Sequence, residues 1–305
     1  MKLLTIKAPK GEGAKVAERA IKSGIESVAV SEKYVFDKAD SPRPADWIEI
    51  ETSTPKVKDF IEDLMTAPFY DPLTYSFTIR HPESLFASEP PEEETKPIIR
   101  ATTDVYQELW QFCQITTSLL GRVTLSAFLV AYGMREGFMP LIIAGLLFLP
   151  YHHHMLGIGF SVALGEKKFL KQSLGSLVVT TLFIVLGGVI LGLLTEPGIK
   201  WDDFTESSLL FSFLISMAVG IAAGLGSIDD AGRRELIGLA ATAHISVYPI
   251  WFGLKIVYGF DPTDKPLHLL LVYLMDVVTL IGFAVLTFKL MKMKGEGIKN
   301  YLAKL

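Results

Sequence analysis

The chain has one cysteine, Cys113, among 305 residues. A lone thiol makes no internal disulfide and no cysteine-pair metal site. Recognised catalytic signatures are missing too: there is no HExxH, no Walker sequence and no Ser-His-Asp order. The stretch GIGFSVALG holds a GxG but lacks the strand-turn-helix setting and full spacing of a dinucleotide loop, which argues against nucleotide binding. The first hundred residues carry no basic, aromatic-rich face, so no nucleic-acid partner is expected. The opening MKLLTIKAPKGEG lacks the apolar core and cleavage site of a signal peptide, and the N-terminal region is expected to stay on the side where it is made. No cofactor is expected.

Charge is scarce in one part of the chain only. Half of the residues are hydrophobic and 20% are charged, yet from about residue 110 onward apolar runs of about twenty residues recur, long enough to cross a hydrocarbon core. Two regions with different solvents are implied. In the first, LLTIKAP reads as a strand. GAKVAERAIKSG follows as a helix with Val16, Ala17, Ala20 and Ile21 at helical spacing and Gly24 as its stop. ESVAVSEKYVF and DWIEIETST alternate as half-buried strands. PKVKDFIEDLM begins with Pro55 in the first turn and sets Val57, Phe60, Ile61 and Leu64 along one stripe, and LTYSFTIRHP closes as a strand. The order βαββαβ is that of the α+β ferredoxin-like or split βαβ pattern. The expected domains are a cytoplasmic ferredoxin-like head over 1–84, a Pro/Glu-rich linker over 85–108, an all-α polytopic membrane domain of six transmembrane helices over 109–293, and a basic cytoplasmic tail over 294–305.

The six spans are expected at about 110–132, 138–164, 174–194, 208–225, 236–260 and 267–288. A cytoplasmic head places Lys96, Arg100, Lys167, Lys168, Lys171, Arg233, Arg234, Lys289, Lys292, Lys294, Lys299 and Lys304 inside. Arg135, Lys200 and Lys265 are then outside, as the positive-inside rule requires for an even number of spans. Both termini are then cytoplasmic, in a multi-pass protein of the plasma or inner membrane. Six spans divide into two sets of three, and an odd count means that halves of one fold are inverted repeats. The middle spans hold Pro150 and Pro249, the interruption that points to an inverted-repeat transporter site, and both are expected to unwind there. Residue identity between the halves is poor and Pro140 blurs the correspondence, so an accidental match stands beside the inverted repeat.

An ionisable group at bilayer depth costs at least about 2.5 kcal/mol on insertion scales, so each needs a partner, water or a use. Counting from loop ends puts Arg122, His152, His153, His154, His244 and Asp276 near the midplane. Gln114, Ser118, Arg122 and Ser126 form a stripe expected to turn away from lipid, and an Arg122–Asp276 ion pair is expected, either as packing or as part of a site. The fifth span aligns His244, Tyr248, Trp251 and Lys255, with Lys255 near enough to the outer end to snorkel and His244 expected first as interhelical glue and only second as a site residue. Three consecutive histidines on an intact helix point about 100° apart and do not grip one metal ion, so no metal site is expected. If Pro150 instead starts a half-helix, the N–H groups of Tyr151 to His154 become free ends, which with Arg122 opposite suit a small anion or carboxylate. The alternative is structural: one histidine faces the bundle, one meets carbonyls, one reaches a neighbouring subunit. Ser208, Ser212, Ser216, Gly220 and Gly224 make a small-residue face that packs within the bundle or between subunits.

At GIGFSVALGEKKFLKQSLGSL (157–177) and SFLISMAVGIAAGLGS (212–227) the sequence resembles the uncharacterised hydrophobic domain family, domain of unknown function three-eight-nine. The resemblance covers most of the chain. It implies a small cytoplasmic head, a proline-rich linker and a membrane domain with Gly- and Pro-rich second and fifth helices. It carries no activity. Where that family favours Pro, Gly and small apolar residues before the GxG run, this chain has Tyr151 and three histidines.

The site expected to bind substrate is Arg122, Pro150, Tyr151, His152, His153, His154, His244, Tyr248, Pro249 and Asp276, with no catalytic residues. The function expected is a transporter or channel-like protein for a small polar or anionic solute, homo-oligomeric, in a lipid bilayer, with a head that senses or assembles. A metal-dependent membrane enzyme using His152–His154, and a non-transporting sensor or scaffold, are the alternatives.

Overall fold

The computed structural model describes residues 2–36, 42–80, 99–197, 208–229, 234–262, 264–293 and 295–298, with backbone alone over 234–241. The chain divides into two units, Met1–Val105 with Ile228–Ala231 and Lys294–Leu305, and Tyr106–Ser227 with Gly232–Met293. Most of the expected 85–108 linker and 294–305 tail lies outside the described residues.

The first unit holds β1 (Lys2–Pro9), α1 (Gly13–Lys22), β2 (Ala29–Val35), β3 (Arg43–Thr52), α2 (Thr54–Met65) and β4 (Ser76–Arg80), the element order read from the sequence. The strands form one antiparallel sheet in the order β2-β3-β1-β4. Alternation along β1 sends Leu4, Ile6 and Ala8 to one face, opposite Ile50, Ile48 and Asp46 of β3. The helices cover that face with Val16 and Ala20 of α1 and with Val57, Phe60, Ile61 and Leu64 of α2, all buried. Asp46 Oδ2 accepts the N–H groups of Gly11 (2.9 Å) and Gly13 (2.7 Å), fixing the turn from β1 into α1. Gly11 has φ +88°, a conformation glycine adopts without strain.

One strand departs from expectation. β2 is an edge strand with nearly every residue exposed, rather than half-buried. The helices cover the central strands, and β2 is met by α1 where Gly13 packs on Val30. Its charges are engaged along the rim, Glu32 with Lys10 (2.9 Å) and Lys33 with Glu49 (3.3 Å), which blunts an edge that would otherwise recruit another strand. Within the same unit Ile99 bridges Asp229, and Arg100 N–H donates to Ile228 O at 2.9 Å.

The second unit is helical. α3 (Thr102–Phe112) enters it, and there Tyr106 and Trp110 pack on Phe169. Then come α4 (Thr117–Glu136), α5 (Met139–Phe148), α6 (Tyr151–Leu164), α7 (Lys167–Leu194), α8 (Leu209–Ile228), α9 (Arg234–Tyr258) and α10 (Pro266–Leu290). α4, α7, α8 and α10 are long and apolar enough to cross a membrane, and α5 with α6 forms a bent pair that is a candidate for a fifth span or a re-entrant loop. The first span begins later than expected because α3 ends at Phe112 and Thr116, extended, caps a new helix by accepting Leu119 N–H at 3.1 Å.

Small residues let these helices approach closely. A Cβ on Gly220 would lie 2.7 Å from Leu280 O and one on Gly224 2.9 Å from Thr287 Cβ, so the serine and glycine stripe of α8 packs on α10 of the same chain. A Cβ on Gly188 would lie 2.7 Å from Ile250 O, which marks the crossing of α7 and α9.

Candidate functional site

Pro150 breaks its span. Leu149 before it is extended, as the residue preceding a proline tends to be, Pro150 is the N-cap of α6, and His153 N–H closes onto Pro150 O at 3.1 Å. α5 and α6 meet at 44°. Pro249 behaves differently, because α9 runs through it without interruption. The expectation that both middle spans unwind is corrected for the fifth. Tyr248, Ile250, Trp251 and Leu254 around that proline are all buried, and the α7 crossing at Gly188 and Gly253 holds the helix together. Pro249 still deprives Ile245 O of its usual donor. One turn earlier, Ser246 Oγ is buried with no hydrogen-bond partner among the described residues.

The three histidines turn to three different neighbours. His152, buried, sets Nδ1 3.2 Å from Thr242 Oγ1 of α9. His153 stacks on Phe112 with ring centroids 3.8 Å apart, and its other face meets the His152 ring at the same distance. His154 is fully buried, with Nδ1 3.1 Å from Ser176 Oγ and Nε2 3.1 Å from Thr180 Oγ1, both of α7. Among the described residues no three His, Cys, Asp or Glu side chains converge as metal ligands. Beside them Tyr151 Oη lies 2.7 Å from Thr181 Oγ1 and 2.5 Å from Tyr273 Oη.

Asp276 of α10 is fully buried. It accepts Ser212 Oγ–H at 3.0 and 2.8 Å and Ser216 Oγ–H at 2.9 Å from α8, and His244 Nε2 of α9 stands 3.4 Å from Oδ2. The expected partner, Arg122, is elsewhere. It lies on the exposed side of α4, whose buried side is Val123, Ser126, Ala127 and Val130. A four-residue repeat advances about 40° per step around a helix, so the stripe from Ser118 does not stay on one face. Ser126 points inward and donates to Gly145 O at 2.5 Å, while Ser118 and Arg122 point outward. Thr124 O and Ala127 lie against Gly187 of α7, so by helix rise Arg122 is level with about Thr181.

These contacts close into a belt. His152 meets Thr242; two residues along α9, His244 meets Asp276; three residues back along α10, Tyr273 meets Tyr151, the neighbour of His152. The rises involved are about 3 and 4.5 Å, so α6, α9 and α10 present their polar groups at one level, with α7 and α8 supplying hydroxyls. Tyr248 and Pro249, both buried, follow one turn on along α9. Lys255 lies further along, about 16 Å from His244 by helix rise. It is fully buried rather than snorkelling, clasped by Asp261 (2.8 Å) and Asp264 (2.7 Å), with its ammonium 5.6 Å from the Trp251 ring centre.

Sequence reasoning missed Thr242, Ser176, Thr180, Thr181 and Tyr273. Hydroxyls are common in membrane helices and carry no signal alone; the clue is that a buried imidazole requires a partner for each nitrogen. Ser212 and Ser216 were legible only as small residues.

A helical, multi-pass membrane protein with a small sheet-bearing head and a buried polar layer is the class these features define. Residues 147–249, less than half of the chain, match the family described as Domain of unknown function (DUF389), the family the sequence resembles. The matched stretch takes in Pro150, the histidine run, Ser212, Ser216 and His244, while Asp276 lies beyond it. No curated protein matches the chain.

Proposed function

We propose that the protein is a six-span transporter or channel-like protein for a small polar solute, which binds at the belt formed by α6, α9 and α10. The observation that carries this reading is the closed set of polar contacts around the break at Pro150, where Tyr151, His152, His244 and Asp276 share one level. Burying so many polar groups in a membrane is costly without a use. Ser246 Oγ and the carbonyl freed by Pro249 keep hydrogen-bonding capacity for a ligand. The one carboxylate of the belt, with Arg122 facing away, favours a neutral or cationic solute over an anion.

The count of six takes α4, the α5–α6 pair, α7, α8 and α10 as five spans and α9, a helix of 25 residues, as the sixth. Two three-span halves of opposite insertion follow, and only the first has a broken middle helix. We read the head as ferredoxin-like, sensory or assembling in role, and cytoplasmic by the distribution of Lys and Arg. Arg122, level with the belt yet exposed on α4, supports a homo-oligomer in which a second copy covers that face.

Proteoliposomes challenged with radiolabelled neutral, cationic and anionic small solutes test the function. Uptake of at least one class should exceed that of protein-free vesicles and fall tenfold or more in His152→Ala. Uptake equal to protein-free vesicles for every class overturns the reading.

A further inference from the structure

The belt contains one group with no fixed countercharge. Asp276 is fully enclosed, and its oxygens accept the hydroxyls of Ser212, shared between both oxygens, and Ser216 from α8. From α9 the titratable group facing it is His244. From α8 come only serines, and α6 reaches α10 through Tyr151 on Tyr273, one turn away. No lysine or arginine contacts it among the described residues; Lys255 is held at its own aspartates and Arg122 is outside.

We propose that Asp276 and His244 form one proton-binding site that couples transport to protons, an inference that rests on the transport reading above and names its coupling ion. With one proton the pair is electrically neutral, either as carboxyl and imidazole or as carboxylate and imidazolium. With none it carries one negative charge. A medium of low polarity penalises the charged state, so the pair holds its proton while enclosed and releases it when water enters. Two coupled groups share that proton, and the titration belongs to the pair. Ser212 and Ser216 donate their O–H groups to the carboxylate form. His244 is the outer member of the pair, since 15% of its side chain is exposed whereas Asp276 has none. The step is a proton transfer from solvent to imidazole to carboxylate and back, with no other bond changed.

Dicyclohexylcarbodiimide, which adds to protonated carboxyls in apolar surroundings, is the probe. The full chain in liposomes is treated between about pH 5 and 9, and the adduct on the Asp276 peptide is measured by mass spectrometry. The expected result is labelling at Asp276 that declines as pH rises. In His244→Gln and in Ser212→Ala the midpoint should move up by about one pH unit, since each change removes a stabiliser of the carboxylate. Asp276→Asn, which keeps shape and hydrogen bonding, should lose the adduct while eluting as the wild type does. Absence of adduct at every pH, adduct independent of pH, or an unmoved midpoint in His244→Gln overturns the proton site. This readout needs no solute, so a failed uptake assay leaves it standing, and a failed labelling leaves the transport reading standing.

Discussion

Gly188 of α7 and Gly253 of α9 face each other so closely that a Cβ on Gly188 would lie 3.1 Å from the Cα of Gly253. This crossing keeps α9 intact through Pro249 and holds Thr242 and His244 at the level of the belt. Gly188→Val is therefore expected to overpack the crossing and cost about 1–3 kcal/mol. Thermal denaturation in detergent measures it. Gly175→Val, at a site where an added Cβ meets nothing within 4 Å, is the control and should change little.

His154 is expected to be structural. His154→Ala leaves the hydroxyls of Ser176 and Thr180 without their imidazole. Each can turn back to a carbonyl of its own helix, as Thr181 does to Leu177 O, so the hydrogen-bonding loss should be about 1 kcal/mol rather than 3. Stability should fall in a denaturation series while uptake by the surviving folded protein continues. His152→Ala should show the opposite pattern.

The Lys255 clasp predicts unequal roles for two aspartates. Asp264 is 9% exposed at its side chain and Asp261 63%. Asp261→Asn should cost less than about 1 kcal/mol, as solvated pairs do. Asp264→Asn should cost more, because it removes the enclosed carboxylate beside a fully buried ammonium. Paired melting curves decide the order.

The outward face of α4 carries Ser118, Arg122 and Leu125. If a second copy covers it, Leu125→Cys should cross-link between copies in native membranes on mild oxidation. Cys113, the natural cysteine, is buried and should give no background. Val178→Cys, exposed on α7, tests whether that neighbouring face is covered too.

In the head, burial and then the contact with Glu12 push the Tyr75 phenol above its ordinary value. A raised folded value means stability that is whole below the unfolded phenol range, about pH 10, and is lost as pH climbs toward the folded value. Tyr75→Phe should remove this alkaline loss while lowering stability at neutral pH. Circular dichroism of the full chain against pH follows both.

The head was largely legible because its pattern is local. Leu4, Ile6 and Ala8 alternate, and Val57, Phe60, Ile61 and Leu64 repeat at helical spacing, and both sets are the buried ones. β2 was misjudged as half-buried because whether a strand is at an edge depends on pairing order, which alternation does not encode. In the helical unit, Pro150 broke its helix as its extended predecessor predicts, while Pro249 did not, since neighbouring packing decides whether a proline unwinds a membrane helix. The partners of Asp276 come from α8 and α9, and no periodicity along α10 announces them.

The seam between Arg100 and Ile228 has a practical bearing on dissecting the molecule. Ile99 and Arg100 tie the carboxyl end of α8, whose serines sit on the buried carboxylate. An amputation running through residue 100 would cut that tether as well as discard the sheet, so a dead product would not say which loss silenced it. Only a cut placed ahead of Ile99 isolates the contribution of the head.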